Sequence, residues 1–255
     1  MVDYKLALKY AKLVQLTELE CTGNCTSELN KALLALGYVP LKCVYGSELA
    51  TYLDTDAGSE LPYGYVAYSI SEGDIVVALR CTETRLEILQ DLMFMPIPLL
   101  MPNAGIALVA AGFSSLYKSL RVGVEPHAET LIGYLKDRKF SKVAIAGHSL
   151  GAALATLLAL DVNVNIPALA GTPLYTYGSP RVGGLLFAMK FNKYVKNSYR
   201  VVERWDPIQA VPILPVYYHV NEKEVIRGSW SLNPLEHHHI ATYISILERM
   251  QNGLL

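Results

Sequence analysis

Charge is scarce in this sequence. Asp, Glu, Lys and Arg make up 18% of its 255 residues, and they nearly cancel to a formal net charge of −1. It has no basic stripe, acidic tail or charge run, which argues against a nucleic acid partner. It also lacks internal repeats and low-complexity tracts. With 52% hydrophobic residues it can build a sizeable core, which excludes a disordered chain. The length suits one large α/β domain, residues 1–255. Long apolar runs are missing too: Leu92–Met101 is short and broken by Pro96 and Pro98, and Val143–Leu160 contains Gly147, His148, Ser149 and Gly151. A membrane-spanning helix takes about 20 mostly apolar residues, so the second run reads better as strand, turn and helix. Met1-Val2-Asp3-Tyr4-Lys5 shows no basic stretch leading into an apolar one, so a secretory leader is not expected within these residues; the cytoplasm is the default compartment, with secretion as the alternative. Only four cysteines occur: Cys21, Cys25, Cys43 and Cys81. No second Cys or His pair stands at metal spacing, which argues against zinc. Reduced structural thiols are expected, with Cys21–Cys25 and Cys21–Cys43 bridges as alternatives.

What is present is alternation of helical and strand patterns. Residues 3–15 repeat apolar positions at helical spacing, and 26–36 read as a helix capped by Thr26 or Ser27 and stopped at Gly37. Residues 64–80 read as a hairpin around Ser71-Glu72-Gly73-Asp74. Helices are expected over 106–121, 124–136, 150–160, 184–194 and 238–250, strands over 142–146, 174–177 and 199–202, and a hairpin over 216–227. Such alternation implies an α/β fold: a mostly parallel sheet with helices on both faces and antiparallel N-terminal edge strands.

Gly147-His148-Ser149-Leu150-Gly151 is a G-x-S-x-G pattern in the context that gives it meaning, a β run before and a small-residue helix after. A nucleophilic serine on such a turn is exposed by a sharp bend, and a Cβ at either flank would crowd that bend. The helix beginning at Leu150 aims its N-terminal N–H groups at the same place. The ordinary alternative is a surface serine in a glycine turn.

A serine nucleophile needs a base, and the base needs an orienting acid. Beyond Asp161 the one aspartate is Asp206, after the strand 199–202 and before Pro207; it is the candidate acid, with Glu203, Glu222, Glu224 and Glu236 as competing acids and a plain turn residue as the ordinary alternative. Candidate bases are His219, His237, His238 and His239. Successive residues in the 237–239 cluster point in different directions, so at most one of them faces Ser149. His148 is read as a support for the turn.

These residues, with Ile75–Thr82, Ala146–Ala155, Tyr177–Gly183, Tyr199–Val202 and Asp206–Pro212, resemble the class 3 or fungal-type triacylglycerol lipases of the α/β-hydrolase superfamily. The resemblance runs from about Gly64 to Tyr243. It implies Ser149 as nucleophile, Asp206 as triad acid, and an oxyanion hole from Thr82 and the N–H of Leu150. The family base often precedes a tyrosine by five residues; Tyr243 then points to His238, with His237 and His239 open. Cys81 departs from the family, which carries glycine there, and Ala110 and Gln209 are further departures.

The stretch 83–104 is a candidate lid. Its first part is amphipathic, and Met93, Phe94, Met95, Ile97, Leu99 and Leu100 are candidate acyl-chain contacts; a plain core segment is the alternative. The implied activity is hydrolysis of lipid esters, foremost triacylglycerol, at an oil–water or membrane interface, without cofactor or metal. Phospholipase, galactolipase, short-chain and feruloyl esterase activities are the enzymatic rivals, and a lipid-binding pseudoenzyme is the non-enzymatic one.

Overall fold

The computed structural model describes residues 2–19, 21, 25–47, 60–80, 94–101, 103–123, 127–138, 140–221 and 223–254. Helix α1 (Tyr4–Gln15) starts where the Asp3 carboxylate accepts the Lys5 and Leu6 N–H groups, and α2 (Ser27–Ala35) starts where the Thr26 hydroxyl accepts that of Leu29. Strands β1 (Tyr38–Ser47), β2 (Glu60–Ser69) and β3 (Ile75–Leu79) form an antiparallel meander. A hairpin of β4 (Pro96–Met101) and β5 (Gly105–Ala110) leads into α3 (Ala111–Ser119). Then follow the short β6 (Arg121–Val122) and β7 (Glu129–Thr130), α4 (Leu131–Asp137), β8 (Val143–His148), α5 (Leu150–Asn165) and β9 (Leu174–Tyr177). The chain continues through β10 (Gly183–Gly184), α6 (Leu185–Tyr194), β11 (Ser198–Glu203), β12 (Tyr217–Tyr218), β13 (Lys223–Ile226) and α7 (Ile240–Gln251).

Among the described residues the main sheet runs β13-β11-β9-β8-β3-β2-β1-β6-β7. It is parallel from β13 to β3 and antiparallel from there to β7. A smaller antiparallel sheet runs β12-β10-β5-β4. One apolar cluster joins Val77, Ile145 and Leu174 to α3, α4, α5 and α6; another joins Val76, Ala144 and Tyr175 to α1, α2 and α7. Strand residues alternate between the two, which gives the three-layer α/β arrangement. Every residue of α5 from Leu150 to Leu160 is buried, which accounts for the apolar run there. Among the described residues, no helix is long and apolar enough to cross a membrane.

Four expectations need correction. Residues 105–110 are strand, not the first turns of a helix: Asn103 and Gly105 adopt positive φ (60° and 73°), turn the chain back, and let β5 pair with β4. The helix expected over 124–136 is confined, among the described residues, to Leu131–Asp137, because Thr130 caps it there through the Gly133 N–H. Residues 216–227 are not a hairpin, since β12 pairs with β10 in the small sheet while β13 lies parallel to β11. Finally, Cys21 and Cys43 are bridged instead of reduced. β1, which sequence patterning does not reveal, carries Cys43 to Cys21; the Cys25 Sγ lies 3.4 Å from one sulfur and 3.3 Å from the other.

Candidate active site

β8 ends at His148 and α5 begins at Leu150, so Ser149 alone makes the turn between them. Its φ of 57° and ψ of −125° lie where side-chain-bearing residues are rarely found. The bend is held by its N–H, which donates to the Tyr177 carbonyl at 3.0 Å. A Cβ on Gly147 would stand 2.3 Å from the Gly151 carbonyl oxygen, and one on Gly151 would stand 2.3 Å from that of Leu79. The flanking glycines are therefore demanded by backbone packing. Leu150 is the first residue of α5, at the positive end of the helix dipole.

The three distant side chains expected from the sequence meet at this turn. His238 Nε2 lies 2.8 Å from Ser149 Oγ, and His238 Nδ1 lies 2.8 Å from Asp206 Oδ2. With Nδ1–H directed at the carboxylate, Nε2 is the acceptor facing the hydroxyl. Asp206 follows β11 after Arg204 and Trp205 and caps a single helical turn, its Oδ1 accepting the Ile208 N–H at 2.8 Å. The Tyr243 hydroxyl donates to Asp206 Oδ2 at 2.6 Å and accepts the Glu203 N–H at 3.1 Å. Burial pushes the Asp206 carboxyl up, but the hydrogen bonds and charge of His238, then those of Tyr243 and the Ile208 N–H, outweigh it and hold it below its ordinary range.

Other histidines have other partners. His237 Nδ1 lies 3.2 Å from the buried Glu203 carboxylate, while its Nε2 accepts the Ser231 N–H at 3.2 Å. His239 is exposed and opens α7. His219 Nε2 lies 2.6 Å from the Gln209 carbonyl. His148 Nε2 lies 2.6 Å from the carbonyl of His238 itself; burial, then the neighbouring His238, lower its pKa to about 3. It is therefore a neutral donor that holds the backbone of the His238 turn.

Gly178 enters the site without having been singled out, whereas Tyr243, which pointed to His238, contacts the acid directly, and His237, a candidate base, pairs instead with Glu203. Gly178 has φ 56°, and a Cβ there would lie 2.6 Å from Asp206 Oδ2 and 2.9 Å from His238 Nδ1. The Tyr177–Gly183 segment carries part of the resemblance, but its contact with Asp206 and His238 does not follow from the sequence. Thr82, Cys81 and Met93 lie outside the described residues, as does 83–93 of the candidate lid. The other candidate acyl contacts divide along an alternating strand and its approach. Leu99 is buried in the core and Phe94 and Ile97 pack against it, whereas Met95 and Leu100 are exposed. They do not share one surface. Ser149 and His238 are only 1% and 4% exposed, so the hydroxyl is closed off from solvent in this conformation.

A family model described as Lipase (class 3) matches residues 76–216. Phospholipase A1-II 6 of Oryza sativa subsp. japonica is 35% identical over 184 residues, covering 56% of this chain and 44% of that protein. Secreted mono- and diacylglycerol lipase A of Penicillium cyclopium is 29% identical over 162 residues, covering 62% of this chain and 50% of that one. The chain thus spans half the length, or less, of these curated relatives. Among solved structures, a lipase from Rhizopus microsporus var. chinensis superposes with a TM-score of 0.66 at 24% identity, over 88% of this chain and 74% of that one. A fungal lipase–inhibitor complex superposes with a TM-score of 0.64 at 26% identity, over 88% and 80% respectively.

Proposed function

The chain belongs to the class 3 lipase family, and from that premise we propose that it is a serine hydrolase of lipid carboxylic esters. The observation that carries this reading is the continuous hydrogen-bonded line from Ser149 Oγ through His238 to Asp206. His238 Nε2 takes the Ser149 proton as Oγ attacks the ester carbonyl. Asp206 orients the ring and stabilises the imidazolium. The N–H and hydroxyl of Thr82 and the N–H of Leu150 receive the oxyanion, each lowering the barrier by about 3 kcal/mol. His238 then protonates the departing alcohol, and a water activated by the same nitrogen hydrolyses the acyl-enzyme.

The substrate we assign first is triacylglycerol, met at an oil–water or membrane interface. Support comes from the apolar side chains that α6, β5 and the approach to β12 leave exposed: Leu185, Leu186, Met189, Ile106, Leu108 and Ile213. α6 packs against both β5 and β12, and apolar side chains left exposed on adjoining elements suit an apolar phase. Because Ser149 is buried, access requires a rearrangement, and we assign the lid role to 83–104. A second reading, a phospholipase acting on acyl esters of glycerophospholipids, is favoured by the 35% identity to Phospholipase A1-II 6. The Cys21–Cys43 bridge supports residence in an oxidising compartment over the cytoplasm.

Hydrolysis of emulsified triacylglycerol beside phosphatidylcholine vesicles, by the wild type and by Ser149→Ala, tests these readings together. Turnover that disappears in the variant supports the hydrolase, and the faster substrate decides between the two readings. Turnover retained by the variant refutes the nucleophile. Equal rates below and above the concentration at which a substrate forms micelles would argue against the interface.

A further inference from the structure

β11 carries a buried cation that the catalytic chemistry does not use. Arg200, 5% exposed, lines a cavity of about 730 Å³ together with Arg181, Lys223, His219, Gln209 and Asp206. The cations reach it from three separate segments. The β11–β13 register sets Lys223 beside Arg200. Arg181 enters from the turn after β9, fixed by its N–H on the Val211 carbonyl at 2.8 Å and its Nη1 on that of Pro212 at 2.9 Å.

The cavity is unfinished as a hydrogen-bonding environment. Arg200 Nε donates to the Val220 carbonyl at 3.3 Å, yet its Nη1 is buried and has no partner among the described residues. His219 Nδ1 is buried without a partner as well. Burial, then the nearby Arg200 cation, lower the His219 pKa to about 4, so the ring is neutral; Nε2–H donates to Gln209 and Nδ1 is a bare acceptor. Burial, then Arg181, also draw the Arg200 pKa down to about 10. Asp206, the one acid among the described lining residues, has its oxygens engaged by His238, Tyr243 and Ile208. Buried cations without a counter-charge are unfavourable, and an empty buried donor beside an empty buried acceptor compounds the cost.

We propose that this cavity binds a phosphate group bearing a hydroxyl, either hydrogenphosphate or a phosphomonoester as the monoanion it forms below about pH 6. Its anionic oxygens accept from Arg200, Arg181 and Lys223, and its P–OH donates to His219 Nδ1. Carboxylate and sulfate ions satisfy the first half of that set and not the second. A phosphodiester, the form found in most lipid headgroups, also lacks the proton for His219. The assignment does not rest on the reading of Ser149, and Ser149→Ala should bind phosphate as the wild type does.

The test is isothermal titration of the full chain with inorganic phosphate, glycerol 3-phosphate, glycerophosphocholine and sulfate. One saturable site for phosphate is expected, with sulfate about tenfold weaker. Arg200→Gln should weaken phosphate binding about tenfold, the effect of one lost charge-assisted hydrogen bond. Because Arg200 is buried, Arg181→Gln and Lys223→Gln, nearer the surface, serve as parallel variants and should each weaken binding several-fold. Binding of inorganic phosphate alone marks a free-ion site, and binding of glycerol 3-phosphate as well marks a phosphomonoester site. No saturable phosphate binding overturns the proposal. So does sulfate or glycerophosphocholine binding as tightly as phosphate, or phosphate affinity unchanged in all three variants.

Discussion

Two histidine–carboxylate pairs lie side by side in this protein, built from neighbouring residues but facing different partners. His238 is paired with Asp206, and His237 with Glu203; all four side chains are buried. In both pairs Nδ1 faces the carboxylate. The difference lies at Nε2, which in His238 faces the Ser149 hydroxyl and in His237 accepts the Ser231 backbone amide. The carboxylates differ as well. Glu203 is tied to the Trp205 and Gly228 N–H groups, whereas Asp206 receives the Tyr243 hydroxyl. A pairing of imidazole and carboxylate is thus not a catalytic signature by itself; the free nitrogen must meet a reactive group. The single turn at Pro234–His237 rotates successive side chains apart and sends only one of the pair toward Ser149.

This comparison can be broken most severely by substitution at the base. His238→Ala is expected to lower kcat/KM by about 10⁵-fold, in line with loss of the base from a serine triad. His237→Gln should leave kcat/KM within a few-fold while costing about 1–3 kcal/mol in urea denaturation, because it disturbs a buried hydrogen-bonded pair. Equal losses of activity in the two folded variants would contradict the division of roles.

Gly178→Ala should reduce kcat by about 10²-fold, since its Cβ lands on Asp206 and His238 and displaces the reacting groups by a fraction of an ångström or more. A fully active variant would show that the approach is slack. Tyr243→Phe removes one of the hydrogen bonds holding Asp206 ionised, and is expected to lower kcat/KM about tenfold and to move the acid limb of its pH profile upward. An unmoved limb would assign Tyr243 to packing alone.

A last effect, on stability and not on turnover, concerns two histidines outside these pairs. His148 and His219 have folded pKa values lowered to about 3 and about 4, against about 6.5 unfolded. Each favours the fold in its neutral form. The contribution is complete above the unfolded value and is lost as pH falls from about 6.5 toward the folded values, where the unfolded chain binds more protons. Stability should fall between pH 6.5 and 4.5 with a slope of up to about 2.7 kcal/mol per pH unit, and urea midpoints measured at those two pH values check it. A flat profile would contradict the neutral state of both rings.

Much of this arrangement is legible in the sequence where it is local. β9 runs over Leu174–Tyr177 as patterning predicts, and α5 begins immediately after Ser149. The five-residue spacing that selected His238 has a physical basis, because Tyr243 itself contacts the acid that orients the base. What stayed hidden depends on distant partners. β1 carries Pro40 and Lys42, and register shifts at 40–42 and 44–45 scramble its alternation, so period-two patterning fails there. Ile106, Leu108 and Val109 fit a helical stripe as well as a strand, and only the pairing with β4 decides between them. Glu203 reads as one acid among several until the fold closes His237 over it.

The most direct measurement is mass spectrometry of the protein after brief exposure to an organophosphonate ester. The predicted result is a single adduct on Ser149 in the wild type, formed at a similar rate in His237→Gln and almost abolished in His238→Ala. Labelling of Ser149 that persists in His238→Ala, or an unlabelled Ser149 in the active wild type, would contradict the assignment.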